Sequence, residues 1–251
     1  MATASVTRPD LPARPSGQPS YRAELASTLW VVTVAGLIAS LAIGVMLRVG
    51  MLVLRLVSDP QVSGLVSDDG FEIGRVTVAG TFNLFMLGGG LGYIGAAAYL
   101  AVAPWLMGPP WARVATVGVA AMVIGGAVLI HRDGVDFTAL DTRAAVVIFL
   151  LVPLGSGLVI VPVTRAVAGR VGRWPAWLPL LAVGYPVSLL ALAVVALVVA
   201  VLLPIRRALL ARIWARPWAR RLTRAAFAAI PVVGAAALAA DLHDLADLLG
   251  V

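Results

Sequence analysis

The sequence predicts an all-α protein, a bundle of about six transmembrane helices. Of its 251 residues, 61% are hydrophobic and only 12% are charged, whereas soluble proteins are close to half apolar and a quarter charged. The mean hydropathy is +0.99, and apolar stretches long enough to cross a bilayer recur along the chain. The chain therefore needs the lipid bilayer as its solvent, and no hydrophilic stretch is long enough to form a soluble catalytic domain.

Residues 1–24 predict a flexible tail, because prolines alternate there with Ser, Thr, Gly and Arg and leave too little apolar surface to bury. Residues 25–251 predict a single transmembrane helical domain. The first apolar stretch begins too far from the start and is too long for a secretory signal, so we interpret it as a retained helix.

Six apolar stretches approach the length of about 20 residues that a transmembrane helix needs. They are residues 25–47, 76–103, 114–130, 144–163, 177–203 and 225–249. The last is short as a charge-free run and reaches this length only with its polar end. Tryptophan is favoured at head-group depth, and six tryptophans lie close to the ends of these stretches: Trp105, Trp111, Trp174, Trp177, Trp214 and Trp218.

The basic residues are all arginine, and they give a formal net charge of +7. This usage fits the codon bias of a GC-rich bacterial genome or selection for phosphate head groups, which the guanidinium binds through two N–H donors. The arginines flank apolar stretches, so they favour lipid contacts and topology over nucleic-acid binding. We expect a multi-pass protein of a bacterial inner (plasma) membrane. The absence of cysteine excludes disulfides and thiolate metal sites and leaves cofactors open.

Seven arginines crowd into residues 206–224, between the fifth and sixth stretches. The positive-inside rule places this segment in the cytoplasm, where it would contact anionic lipids. This fits six spans with both termini outside, or another odd number of spans before the segment. The predicted lipid head-group contacts are Arg206, Arg207, Arg212, Arg216, Arg220 and Arg221.

Small residues recur every four positions in the first two stretches, a spacing that lets helix backbones approach closely. These residues are Gly36, Ser40 and Gly44 in the first stretch and Gly88, Gly92 and Ala96 in the second. We expect the two helices to pack together within the chain or across a homo-oligomer. Asn83 is the one strongly polar amide in the stretches; we expect it to make a buried hydrogen bond between helices, or else to contact a substrate.

Two acidic clusters with a histidine are candidate sites. The candidate catalytic residues after the third stretch are His131, Asp133, Asp136 and Asp141; the candidate metal ligands near the C-terminus are Asp241, His243, Asp244 and Asp247. Such side chains bind divalent ions or transfer protons, but a turn, a helix cap and a frayed helix end would explain them equally well. Six full crossings put the clusters on opposite sides, whereas an extra crossing or a re-entrant segment would bring them together.

Residues 69–81 (DGFEIGRVTVAGT), continuing to Gly92 and Tyr99, and residues 133–137 (DGVDF) resemble a group of uncharacterised multi-pass membrane proteins of GC-rich bacteria. The resemblance implies a membrane protein and no particular activity. The pattern of membrane alcohol phosphotransferases does not fit, because Arg75 is wrongly spaced from Asp69 and Gly70, and no aspartates follow in the second stretch.

Three functions remain open. The first is a membrane protein that acts through helix packing and contacts with lipids or a membrane partner, because its apolar stretches almost lack the ionisable residues of pumps and carriers. The second is a membrane-interface enzyme that uses an Asp/His cluster on a lipid-linked substrate. The third is a small-molecule transporter with a site near Asn83.

Overall fold

The computed structural model describes residues 20–59, 77–106, 108–130, 140–184, 186–214 and 216–249. These residues form helices and short connections without any strand, which confirms the all-α prediction. The six α-helices are α1 (Tyr21–Val57), α2 (Val78–Val102), α3 (Pro110–Leu129), α4 (Thr142–Ala168), α5 (Pro186–Trp214) and α6 (Pro217–Leu249). A 3-10 segment, Leu178–Gly184, precedes α5.

Helix starts are fixed by local chemistry. The side chains of Ser20, Thr77 and Asp141 each accept a hydrogen bond from a backbone N–H of the first turn, which satisfies a donor that the helix leaves unpaired. Proline is the first residue of α3, α5 and α6, a position where its missing N–H costs nothing. Because α1 begins at Tyr21, residues 21–24 belong to the helix and not to the predicted tail.

Four helices, α1 to α4, are long and apolar enough to cross a membrane. In the rest of the described chain, α5 and α6 contain only the shorter apolar stretches Leu189–Ile205 and Pro231–Ala240. The chain is therefore a membrane protein with four candidate spans among its described residues.

Helices α1 to α4 run alternately up and down. In the α1–α2 contact, Gly36 faces Gly92 and Gly44 faces Gly88, so residue numbers rise along one helix as they fall along the other. In the same way, α3 and α4 are antiparallel, because Gly118 meets Gly157 while Gly126 meets Leu150. Helices α1 and α4 are antiparallel as well, because Gly50 meets Ile148 while Met46 meets Gly155.

The chain after α4 turns back into the bundle. Val167, near the end of α4, shares a buried cluster with Val31, near the start of α1, and Trp174 and Leu178 pack on that cluster. The Trp174 ring contacts the Trp30 ring edge to face at 6.5 Å between centroids. Leu178, the first residue of the 3-10 segment, therefore packs against the bundle and not beyond its end.

Helix α5 then returns to the end where α4 finished. Its Ala191 lies beside Gly90, in the middle of α2, and further along α5 the carbonyl oxygen of Ala200 accepts a 2.8 Å hydrogen bond from Tyr21, the first residue of α1. Helix α5 thus runs parallel to α2. We call residues 169–205 the re-entrant hairpin.

The predicted fifth span, residues 177–203, is not a single α-helix in the structure. Residues 178–184 form a 3-10 segment, and α5 begins only at Pro186. Proline supplies no backbone donor and clashes with the preceding turn, so Pro179 and Pro186 oppose a single α-helix through this region. The apolar run is therefore divided between the 3-10 segment and the first part of α5.

Helix α6 runs parallel to α3. Gly234 lies against Val123, and Leu238 lies against Gly126 one turn further along both helices. Leu238 also joins a buried cluster with Leu54 and Ile130, at the ends of α1 and α3. The last turns of α6 are therefore at the opposite end of the bundle from Tyr21.

Candidate functional site

One end of the bundle carries most of the basic residues. It comprises the starts of α1, α3 and α6 and the ends of α2, α4 and α5, and we call it the arginine end. Glu24 is the one acidic residue that the described helices place there. The described arginines at this end are Arg22, Arg113, Arg165, Arg170, Arg173, Arg206, Arg207, Arg212, Arg216, Arg220, Arg221 and Arg224.

The opposite end is acidic, and we call it the aspartate end. It comprises the ends of α1, α3 and α6 and the starts of α2 and α4, with Arg48, Arg55 and Arg143 as its described arginines. The described carboxylates at this end are Asp59, Asp141, Asp241, Asp244 and Asp247. Charge is thus separated along the axis of the bundle.

Six full crossings predict a different arrangement. They require five spans before the 206–224 segment and so separate it from the tail. In the structure, four full-length helices and the re-entrant hairpin precede it, and the segment lies at the same end as Tyr21. The hairpin returns to the end from which it started and does not cross the bundle. Helix α6 therefore runs in the opposite direction from the one that six full crossings predict.

The small residues of α1 and α2 lie on facing surfaces within one chain. A Cβ atom on Gly88 would lie 2.9 Å from the backbone nitrogen of Gly44, and one on Gly92 would collide with the carbonyl oxygen of Gly36. Ser40 and Ala96 are completely buried in the same region. These glycines therefore serve backbone packing, and the space beside them is filled by the neighbouring helix.

A second close backbone contact was not predicted from the sequence. A Cβ atom on Gly157 would lie 2.7 Å from the Cα atom of Gly118, so α3 and α4 also touch through glycine. Both apolar stretches contain glycines, but these glycines lack the regular four-residue repeat that predicts the contact between α1 and α2.

The described interior contains hydroxyl groups but no buried carboxylate. Thr33, Ser40 and Ser156 each donate a hydrogen bond to a carbonyl oxygen of their own helix. Thr164 is completely buried, and its hydroxyl has no hydrogen-bond partner among the described residues. Nothing described here forms the chain of ionisable groups typical of proton-coupled carriers.

The expectation of a buried Asn83 is wrong. Asn83 is exposed on the surface of α2, away from its contact with α1. The helical repeat explains this, because Gly88, Gly92 and Ala96 define the buried face of α2 and Asn83 is five residues before the first of them, off that face. A buried amide between helices is therefore not part of the described chain.

At the aspartate end, Asp141 acts as a helix cap. Its Oδ1 accepts a 2.8 Å hydrogen bond from the N–H of Ala144, and its own N–H donates to the hydroxyl of Ser58 at the end of α1. His243 is exposed on α6 at the same end, one residue beyond Leu242, which packs on the cluster around Ile130.

Asp141 and His243 thus lie at the same end of the bundle, although the described residues include no group of three possible metal ligands. His131, Asp133 and Asp136 lie outside the described residues. Asp241, Asp244 and Asp247 are placed only as positions on the last turns of α6.

At the arginine end, the 206–224 segment is not a separate interfacial helix. Helix α5 continues through Pro204 to Trp214, and α6 starts at Pro217. Arg216 and Arg221 are exposed; Arg206, Arg207, Arg212 and Arg220 are placed only by the course of their helices. Arg170 lies over the Trp174 ring at 5.7 Å, so this end also anchors the hairpin.

An apolar groove of about 360 Å³ lies between α1, α2 and α5. Thr28 is its one polar lining residue; α2 contributes mainly alanines, and α5 contributes valines and leucines. Because the alanines are small, α2 and α5 do not fill the space between them. No described element covers the groove.

Comparison of the chain with known proteins finds no relative. No family model matches the chain, and no curated protein and no solved structure is significantly similar to it.

Proposed function

We propose that this chain is a multi-pass protein of a bacterial plasma membrane, with its arginine end in the cytoplasm, that acts through contacts with anionic lipids and a membrane partner. The separation of charge between the two ends carries the proposal. Positively charged loops are retained in the cytoplasm, and the arginine end holds twelve of the fifteen described arginines. The tail would then be cytoplasmic and the end of α6 would be outside.

Lipid contact at the arginine end is supported by the chemistry of that end. Arg22, Arg216 and Arg221 are exposed there, and each arginine near an anionic leaflet contributes about 1 kcal/mol to its attraction. Exposed tryptophans at the starts of α3 and α6, Trp111 and Trp218, fit the same head-group layer.

The orientation can be tested by single-cysteine labelling, because the natural chain contains no cysteine. We expect a membrane-impermeant maleimide to label Asp59→Cys and His243→Cys in intact cells, and Ala208→Cys only after permeabilisation. Ala208 is exposed between arginines of α5 and leaves every charge in place. Six full crossings would instead put positions 59 and 208 on one side, so labelling of that pair together would overturn the proposal.

A second candidate function is a membrane-interface enzyme at the aspartate end. The parallel course of α3 and α6 favours it, because it brings His243 to the end where Asp141 and Ser58 lie. Helix packing could produce the same arrangement without any chemistry. The transporter hypothesis gains no such support, because α1 fills the glycine face of α2 and Asn83 is exposed.

The enzyme hypothesis can be tested with Zn²⁺ and Mg²⁺ titrations of the purified protein. It requires saturable binding that His243→Ala weakens at least tenfold. Asp141→Asn is a useful second variant, because asparagine preserves the helix cap while removing the charge. Without saturable binding of either ion by the natural chain, the metal-dependent form of this hypothesis fails.

A further inference from the structure

We infer that the groove between α1, α2 and α5 holds one acyl chain of an anionic phospholipid whose phosphate lies among the arginines of the arginine end. This inference rests on the proposed function and identifies the lipid site. The groove has the size of a small-ligand site, and its lining offers hydrocarbon contact with a single hydroxyl.

One end of the groove lies close to the arginine end. Thr28, in its lining, is six residues after Arg22 on α1, and Leu203 is three residues before Arg206 on α5. At a rise of 1.5 Å per residue, these separations correspond to roughly 9 Å and 5 Å along the helix axes. A phosphate at the level of these arginines would therefore be joined directly to an acyl chain in the groove.

The shape of the groove results from the residues of α2 and α5. Ala97, Ala98 and Ala101 line the groove from α2, and Val195 and Val199 line it from α5. Ala98 and Ala101 are exposed because the groove beside them is empty. The hydrogen bond from Tyr21 to Ala200 holds α1 and α5 together beside this space. A lipid chain would replace exposed valine and alanine surface with dispersion contacts on three helices.

Charge favours an anionic lipid over a second copy of this chain. A copy inserted with the same orientation would bring its own arginine end against this one, and like charges repel. A phosphate diester supplies the opposite charge, and arginine binds it with two parallel N–H donors.

Native mass spectrometry tests the inference. The protein is purified in mild detergent and incubated with equal amounts of phosphatidylglycerol and phosphatidylethanolamine that have the same acyl chains. We expect one retained phosphatidylglycerol per chain. Ala98→Phe fills the groove and should lower retention at least fivefold, whereas Ala115→Phe, at an exposed position of α3 outside the groove, should not. Arg22→Gln should reduce the preference for phosphatidylglycerol.

A second matched pair keeps the test decisive if Ala98→Phe does not fold. Val198 lines the groove from α5 and is 45% exposed, while Val201 is 54% exposed on the same helix outside it. Val198→Phe should lower retention, and Val201→Phe should not. Undiminished retention in both groove variants would overturn the site, and equal retention of the two lipids would overturn its selectivity.

A lipid-free dimer that Ala98→Phe dissociates would show that a second copy occupies the groove, which also overturns the inference. These outcomes are independent of the cysteine labelling that tests the orientation. Loss of the lipid site would therefore leave the proposed topology intact, and a reversed topology would appear in the labelling alone.

Discussion

The hydroxyl of Tyr21 donates a 2.8 Å hydrogen bond to the carbonyl oxygen of Ala200, although the two residues are 179 positions apart. Ala191, nine residues earlier on α5, lies beside Gly90 in the middle of α2. Together these contacts fix the direction of α5. The direction of α5 decides at which end the arginines of residues 206–224 lie, and so the orientation that we propose.

A disulfide tests the direction and register of α5. A Cβ atom on Gly90 would lie 3.7 Å from the Cβ atom of Ala191, within the separation of about 3.5–4.5 Å that a disulfide requires. We expect Gly90→Cys with Ala191→Cys to form an intramolecular disulfide in membranes under mild oxidation, seen as a mobility shift that a reductant reverses.

The control pair is Gly90→Cys with Val198→Cys, which moves the second cysteine two turns along α5. It should remain reduced under the same oxidation, because about 10 Å along the helix axis separates it from the first position. Cross-linking of the control pair in preference to the first would contradict the described course of the hairpin.

The α1–α2 contact predicts a sharp difference between neighbouring glycines. In Gly92→Ala, the new methyl would collide with the carbonyl oxygen of Gly36, a backbone atom that cannot rotate away, whereas in Gly90→Ala it meets only the Ala191 side chain at 3.7 Å. We expect Gly92→Ala to lower the free energy of unfolding by about 2–3 kcal/mol.

Gly90→Ala should change the free energy of unfolding little, or raise it slightly by restricting the unfolded chain. The measurement is unfolding in mixed micelles, followed by circular dichroism. Equal effects of the two substitutions would show that α1 and α2 do not approach through Gly36 and Gly92.

The features that the sequence predicts are those encoded locally. Apolar length predicts the helices, and the spacing of Gly36, Gly88 and Gly92 predicts a close contact between two of them. The return of α5 could not be predicted in this way, because Leu178–Gly184 is as apolar as a crossing helix and hydropathy carries no direction. Pro179 and Pro186 oppose a continuous α-helix, but a proline that bends a helix and one that precedes a reversal of the chain look the same in the sequence.

The aspartate end shows the same limit. Asp141 was a candidate both for catalysis and for a helix cap, and its contact with the N–H of Ala144 accounts for it as a cap. That His243 lies at the same end depends on α6 running parallel to α3. Such long-range geometry has no signature in the spacing of residues along one chain.

The Tyr21 hydroxyl gives a prediction about local stability. Tyr21→Phe removes one hydrogen bond, worth about 0.5–1.5 kcal/mol, and should speed hydrogen exchange in α5 around Ala200. Ser27→Ala is the matched control, because the Ser27 hydroxyl bonds only within its own helix, to the Glu24 carbonyl. If both variants alter exchange in α5 equally, the link between α1 and α5 is not carried by Tyr21.

The buried hydroxyl of Thr164 gives a prediction in the opposite direction. Thr164 is 0% exposed and its Oγ1 has no described partner, whereas Thr33, 5% exposed, donates to the Leu29 carbonyl. Valine has the shape of threonine without the polar atom. Since an unsatisfied buried polar group costs about 1–3 kcal/mol, Thr164→Val should raise the free energy of unfolding by about 1 kcal/mol, and Thr33→Val should lower it.

The free energy of unfolding of both variants is measured in mixed micelles. If Thr164→Val loses as much stability as Thr33→Val, the Thr164 hydroxyl makes a hydrogen bond in the folded protein.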